Sequence, residues 1–212
     1  MTFPPAAARG RFITLEGIDG AGKSTHAAWI VEALQSRGHA VVATREPGGT
    51  PLGEALRALL LQQPMDHDSE ALLLFAARRE HVLQVIGPAL ARGHWVVCDR
   101  FTDATYAYQG GGHGVSRDWI RALATHVHDA CRPDLTLLFD VTPAVSRARL
   151  DKARADGRTL DRFEREAQAF FDRVRDAYLE LAAAEPGRFQ VIDASLPLAD
   201  VRARLAQVLA TL

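Results

Sequence analysis

Five short runs rich in β-branched and aromatic residues punctuate the chain: Arg11-Phe12-Ile13-Thr14-Leu15-Glu16, Ala40 to Thr44, Trp95 to Cys98, Leu135 to Phe139 and Phe189 to Ile192. Each has the length and composition of a strand. Between them apolar residues recur at helical spacing. In Ser24 to Arg37 they are Ala27, Ala28, Ile30, Val31 and Leu34, with Gly38 where a C-terminal cap belongs. Thr50 and Pro51 read as the N-cap and first position of a helix through about Leu61, and Ser69 opens a longer tract carrying Phe75, Arg78 and Arg79. Further helices are expected over Arg117 to Ala130, from Pro143, over Asp161 to Ala184 and from Leu198, while Tyr108-Gln109-Gly110-Gly111-Gly112 reads as a flexible segment. Strands alternating with helices predict an α/β fold in three layers, a parallel sheet with helices on both faces and ligands at the carboxyl edge of the strands. The first three strands end at Gly17, Arg45 and Asp99, which puts glycine and charge on that edge.

Composition narrows this picture. A chain of 212 residues with 48% hydrophobic content buries a substantial core, and no Pro/Gly/Ser-rich linker divides it, so one domain over 1–212 is expected. The formal net charge of −1 supplies no global field for nucleic acid or an anionic membrane. The longest apolar run, Ala71 to Ala77, is far too short to span a bilayer, and Met1 to Gly10 lacks the pattern of a secretion signal. Cys98 and Cys131 offer neither a disulfide framework nor metal-ligand spacing; both read as packing residues in a reducing cytoplasm.

The chemistry begins after the first strand. Gly17-Ile18-Asp19-Gly20-Ala21-Gly22-Lys23-Ser24 is a complete phosphate-binding loop, placed between a strand and a helix. Its glycines let successive backbone N–H groups converge on an anion, Lys23 reaches the outer phosphates of a nucleoside triphosphate, and the Ser24 hydroxyl is placed to ligate Mg²⁺. The chain contains no asparagine, which argues against a guanine-nucleotide switch that reads its base with Asn-Lys-x-Asp. Its small size leaves no obvious room for the partner-binding region of a motor ATPase. A small kinase remains, beside two alternatives: a kinase for a different nucleoside or nucleotide, and a regulatory protein that binds ATP without phosphorylating a metabolite.

Gly17 to Thr25, Thr44-Arg45-Glu46-Pro47-Gly48-Gly49, Phe75-Ala76-Ala77-Arg78, Asp99-Arg100-Phe101 and Tyr106-Ala107-Tyr108-Gln109-Gly110-Gly111-Gly112 resemble, in this order, the motifs of bacterial thymidylate kinases. The resemblance spans nearly the whole chain. It implies ATP-dependent conversion of dTMP to dTDP, Mg²⁺ as cofactor, a P-loop kinase fold with a five-stranded sheet, and a homodimer.

Phosphoryl transfer asks the protein to align two phosphates and offset the charge on the transferring oxygens. The acceptor is itself a phosphate with a second pKa of about 6, so no general base is needed. The eight histidines then need no catalytic role. Arg45 and Arg100 present planar forks of donors that suit the monophosphate, with structural ion pairs as the alternative. Asp99 and Glu46 belong by resemblance to the Mg²⁺ network, through water, or else anchor neighbouring arginines. Phe75 and Arg78 are three apart on a helix and share a face, as a stacked ring beside a fork for thymine O4 requires, and Arg79 is an alternative fork four residues from Phe75. Thr105 and Gln109 resemble further base contacts. Tyr108 resembles the aromatic that crowds the sugar 2′ position, and Asp19 the carboxylate near the sugar 3′-hydroxyl. A lid over approximately 147–162 carries Arg149, Arg154 and Arg158 as candidate catalytic cations, because family members with glycine at the place of Gly20 draw a cation from the lid. By fold analogy, Asp193 and Ala194 stand near adenine.

Overall fold

A computed structural model describes residues 9–128, 130–159 and 161–212. The reading of Met1 to Gly10 therefore falls almost wholly outside the described residues, as do Asp129 of the expected helix ending at Ala130 and Leu160 of the lid.

All five expected strands form: β1 (Phe12–Glu16), β2 (Val41–Arg45), β3 (Trp95–Asp99), β4 (Leu135–Asp140) and β5 (Phe189–Asp193). They pair in parallel in the order β2-β3-β1-β4-β5. β1 is central and buried along its whole length. Its alternating side chains feed two cores: Ile13 and Leu15 join the cluster containing Phe139, Phe171 and Leu205, whereas Phe12 joins Val82, Ile86 and Phe101. That split is what helices on both faces of a parallel sheet require.

Helices α1 (Lys23–Gln35) and α2 (Pro51–Gln62) follow β1 and β2, and Thr50 caps α2 through Gly53 N at 3.0 Å. The next helix, α3 (His67–His81), starts ahead of the expected Ser69, because the Asp66 side chain accepts from Asp68 N and Ser69 N and so acts as the cap. It continues through a π-helical turn, Val82–Ile86, into α4 (Gly87–Ala91). After β3 come α5 (Thr102–Thr105), the π-helical segment Tyr106–Gly112 and α6 (Arg117–His128). Then α7 (Pro143–Ala155) follows β4, α8 (Gln168–Ala184) precedes β5, and α9 (Leu198–Leu209) ends the fold.

Two expectations need correction. The helix expected over Asp161 to Ala184 is a short 3-10 turn, Phe163–Arg165, followed by a new helix start at Ala167, whose extended backbone separates the two. The segment Tyr108 to Gly112 is helical and packed rather than a flexible loop. A Cβ on Gly111 would lie 2.5 Å from Ala177 Cβ, and one on Gly112 2.3 Å from Phe170 Cε2. These glycines let the π-helical backbone lie directly on α8. Gly112→Ala should therefore overpack Phe170 and Val174 and lower stability by about 1–3 kcal/mol in denaturant titration. An unchanged midpoint would contradict that close approach.

Candidate active site

The carboxyl edge of β1, β2 and β3 carries the site. Beyond Glu16 the backbone turns through Gly17, Gly20 and Gly22 at φ of 134°, 75° and 92°, a region that suits glycine. A Cβ at Gly17 would also lie 2.3 Å from the Phe139 carbonyl oxygen. Gly22 is the N-cap of α1 and offers no side chain to its first N–H groups, which are left for an anion. Ile18 and Ala21 are buried and pin the loop to the core. Lys23 Nζ donates to Gly17 O at 2.9 Å and Ile18 O at 3.1 Å, and burial and the neighbouring Arg100 charge hold its ammonium below the usual lysine range. Lys23, Ser24 and Thr25 wall a cleft of about 510 Å³ together with Asp19, Arg45, Asp99 and Arg100.

Arg100 ties the loop to the neighbouring cavity. Its backbone sits at φ 71°, an unusual conformation for a residue with a side chain and one that concentrates at functional sites. Nη1 donates to Gly17 O at 3.0 Å, while Nη2 donates to Asp19 Oδ1 at 2.5 Å and Tyr108 OH at 2.9 Å. The Tyr108 hydroxyl in turn donates to Asp19 Oδ2 at 2.9 Å, and its ring lies under the guanidinium at 4.7 Å. Burial alone would push the Asp19 carboxyl up, but Arg100 and Lys23 overcome it and hold the carboxyl below its ordinary range. Arg45 pairs with Glu54 at 2.8 Å and is half exposed, its side chain lining the same cleft.

A second cavity of about 110 Å³ opens beside the cleft and shares Asp19, Glu46, Arg57, Arg100 and Asp161 with it. Arg78 is 2% exposed in its wall. Its Nε donates to Glu46 Oε2 at 2.7 Å, and Nη2 donates to Phe101 O at 3.1 Å and Thr105 Oγ1 at 3.2 Å. Nη1 is buried with no hydrogen-bond partner among the described residues. A guanidinium fixed on three sides with its last donor unused is prepared for an acceptor on a ligand.

The remaining expected residues divide. Thr105, Tyr108 and Gln109 line the cavity. Phe75 does not: it belongs to the cluster of Val115, Ile120 and Ala124, and supports the Arg78 guanidinium from 4.8 Å. Leu74, one turn before Arg78, takes the cavity wall instead, with Phe163. Arg79 turns to the surface and donates to Val127 O at 2.8 Å, away from the cavity. Arg57 was not singled out by the motif reading, yet it lines both spaces and donates to Pro47 O at 3.0 Å. Its only sequence signal is a lone cation inside the leucine-rich stretch of α2.

Asp99 and Glu46, the two candidate metal carboxylates, differ. Asp99 Oδ1 is buried without a partner among the described residues, and Asp99 shares the cleft with Ser24, so this pair fits a hydrated divalent cation. Glu46 has both oxygens engaged, by Arg78 Nε and by His81 Nδ1 at 3.0 Å. It is the anchor of Arg78. Of the three cations expected to belong to a lid, Arg149 donates to Gly20 O at 3.1 Å and Ala194 O at 2.8 Å, and Arg158 lines the cleft while pairing with Glu164. Arg154 is exposed and outside the walls of both spaces.

Beneath the loop, Glu16 accepts from Phe101 N and Tyr178 OH, each at 2.7 Å. Burial, reinforced by Asp103, raises its pKa to about 8 from an ordinary 4.5. The unfolded chain therefore loses this proton between pH 4.5 and 8 while the folded chain keeps it, and stability falls as pH rises through that window. His113 and His128, held down to about 4 chiefly by burial, act in the opposite direction between about 4 and 6.5. The contribution of Glu16 is thus clearest from pH 6.5 to 8, with a slope approaching about 1.4 kcal/mol per pH unit. Glu16→Gln should flatten that decline in denaturation experiments, and an identical slope in the variant would contradict the assignment.

A glycine-rich loop and lysine at a helix start, beside a cavity ringed by arginines, define a P-loop phosphotransferase with places for two anionic ligands. Comparison with known proteins is specific. The family model described as Thymidylate kinase matches residues 15–205. Thymidylate kinase of Bordetella petrii is 62% identical over 198 residues, covering 93% of this chain and 94% of the relative. That of Burkholderia vietnamiensis is 59% identical over 97% of this chain and 100% of its own. The crystal structure of thymidylate kinase from Ehrlichia chaffeensis matches with a TM-score of 0.76 at 36% identity, covering 95% of this chain and 98% of that one. The chain belongs to the thymidylate kinase family, whose reaction is the ATP-dependent phosphorylation of dTMP to dTDP. Among the described residues no helix is long and apolar enough to cross a membrane.

Proposed function

We propose that dTMP occupies the smaller cavity with its base toward Arg78 and its phosphate toward Arg45, Arg57 and Arg100, end to end with ATP on the loop from Gly17 to Thr25. The unused Nη1 donor of Arg78 carries this reading. Thymine presents an acceptor at O4 where cytosine presents an amino group, so the same donor accepts one base and repels the other. Leu74 and Phe163 supply the apolar walls, Thr105 and Gln109 further polar edges, and Tyr108 with Asp19 the sugar side. Thymine in this orientation leaves the phosphate at the Arg100 end, where the two spaces join.

The acceptor phosphate is already ionised near neutrality, so the residues act by position and charge. Lys23 exchanges its two loop carbonyls for phosphate oxygens, and Arg100, whose cation is held against burial by the Asp19 carboxylate and by its hydrogen bonds to Tyr108 OH and Gly17 O, keeps the acceptor in line. Arg149 and Arg158 are the lid cations of this reading; Arg154 is not among them. Ser24 and, through water, Asp99 would hold Mg²⁺. Bound there, the ion would offset charge on the outer phosphate oxygens of ATP.

The whole chain is proposed to work as one domain with its lid near 147–162, in the cytoplasm, where the free, buried Cys98 and Cys131 suit a reducing medium. A homodimer is supported by Leu52, Leu59 and Leu72, large apolar side chains left 43–49% exposed on the adjoining helices α2 and α3. The test of substrate choice is ADP formation with dTMP, dUMP, dCMP and dGMP. A kcat/KM for dTMP at least about 100-fold above that for dCMP is expected. Parity between the two would reject the placement of the base.

A further inference from the structure

His67 and His113 lie face to face at the outer end of α3, with ring centroids 3.8 Å apart and planes 10° from parallel. Glu70, three residues after His67 and therefore on the same helical face, is fully buried beside them. Donor atoms of the three side chains all lie within 4.8 Å of one another. His113 Nε2 is buried without a hydrogen-bond partner among the described residues. The phosphotransfer site uses neither imidazole.

We propose that His67, Glu70 and His113 form a second metal site, selective for a first-row transition ion of the Zn²⁺ or Co²⁺ class, and that its occupancy weakens dTMP binding. Two imidazoles and one carboxylate are a donor set suited to Zn²⁺, whereas Mg²⁺ prefers oxygen ligands. Ligand atoms about 2.0–2.1 Å from a tetrahedral ion stand about 3.4 Å apart. The stacked rings aim their in-plane nitrogen lone pairs nearly parallel, so a shared ion needs one ring turned out of the stack and drawn inward, a movement of side chains alone. His67 is exposed and free to supply it by rotation, and a water completes the shell.

Glu70 couples this site to the substrate. Its Oε1 accepts from Gln109 Nε2 at 2.6 Å, and its Oε2 accepts from Arg162 at the end of the lid. A divalent ion on this carboxylate competes with both donors, releasing Gln109 from its position in the cavity wall and repelling the Arg162 guanidinium. This second half of the proposal rests on the placement of dTMP in that cavity; the metal site itself does not.

The experiment is a titration of the full chain with Co²⁺ in excess Mg²⁺ and without nucleotide, read by visible absorption, followed by Zn²⁺ displacement. One equivalent with the absorption of a four-coordinate ion is expected. His67→Ala, a change at an exposed position, should weaken binding about tenfold or more. His113→Asn should do the same. Absence of the absorption, or an equal affinity in folded His67→Ala, would overturn the site. Calorimetric titration with dTMP then tests the linkage: Zn²⁺ should raise its Kd in the wild type and leave it unchanged in His67→Ala. A metal that binds as expected while the dTMP Kd stays constant in the wild type would overturn the coupling alone.

Discussion

Lys23→Ala is expected to reduce kcat by about 10³-fold or more, the largest effect of any single change in this site. The ammonium is the cation held inside the phosphate-binding loop, where it bridges two backbone carbonyls, at Gly17 and Ile18. Its burial lowers its pKa, so the charge is poorly solvated until phosphate oxygens surround it. That arrangement concentrates its electrostatic effect on the bound nucleotide. Steady-state ADP release, with thermal unfolding as a check on the fold, measures the loss. A variant within tenfold of the wild type would show that Lys23 does not contact the transferring group.

The second large effect is at Arg78. Arg78→Lys should lower kcat/KM for dTMP by about 100-fold while leaving the KM for ATP nearly unchanged. The guanidinium simultaneously satisfies Glu46, Phe101 O and Thr105 and leaves Nη1, without a partner among the described residues, for the proposed base contact. A single ammonium holds the Glu46 carboxylate but has no rigid fork left for thymine. Arg78→Ala adds a stability loss of about 3–5 kcal/mol, because Glu46 is buried and its folded carboxylate is kept ionised against burial chiefly by Arg78. The lysine variant separates the two consequences. Retained dTMP efficiency in a folded Arg78→Lys protein would place the base elsewhere.

The sheet was legible because each strand is a short apolar run ending in glycine or charge, and the phosphate loop because its spacing has one structural meaning. Packing choices were less legible. Gly110 to Gly112 look alike whether glycine serves flexibility or close approach, and only Phe170 and Ala177, some sixty residues on, decide for close approach. Asp66 and Ser69 are both good caps, so the start of α3 depends on which side chain reaches the first N–H groups. Three- and four-residue spacings both place side chains near Arg78, but the rotation of α3 sends Phe75 into the α6 contact and Leu74 into the cavity. Helical periodicity cannot fix that rotation. Arg57 and Glu16 belong to no short motif; their importance arises from where α2 and β1 deliver them. Over 147–162, charge spacing treats Arg149, Arg154 and Arg158 alike, whereas the face of α7 toward the loop carries Arg149 to the cleft and the turn after α7 carries Arg158 there.

The most direct test of the central claim is a crystal structure of the protein with dTMP bound. Thymine O4 should lie about 3 Å from Arg78 Nη1, with the monophosphate against Arg100 and facing the loop that carries Lys23. A nucleotide bound in the reverse sense, with phosphorus at Arg78 and the base at Arg100, would contradict it.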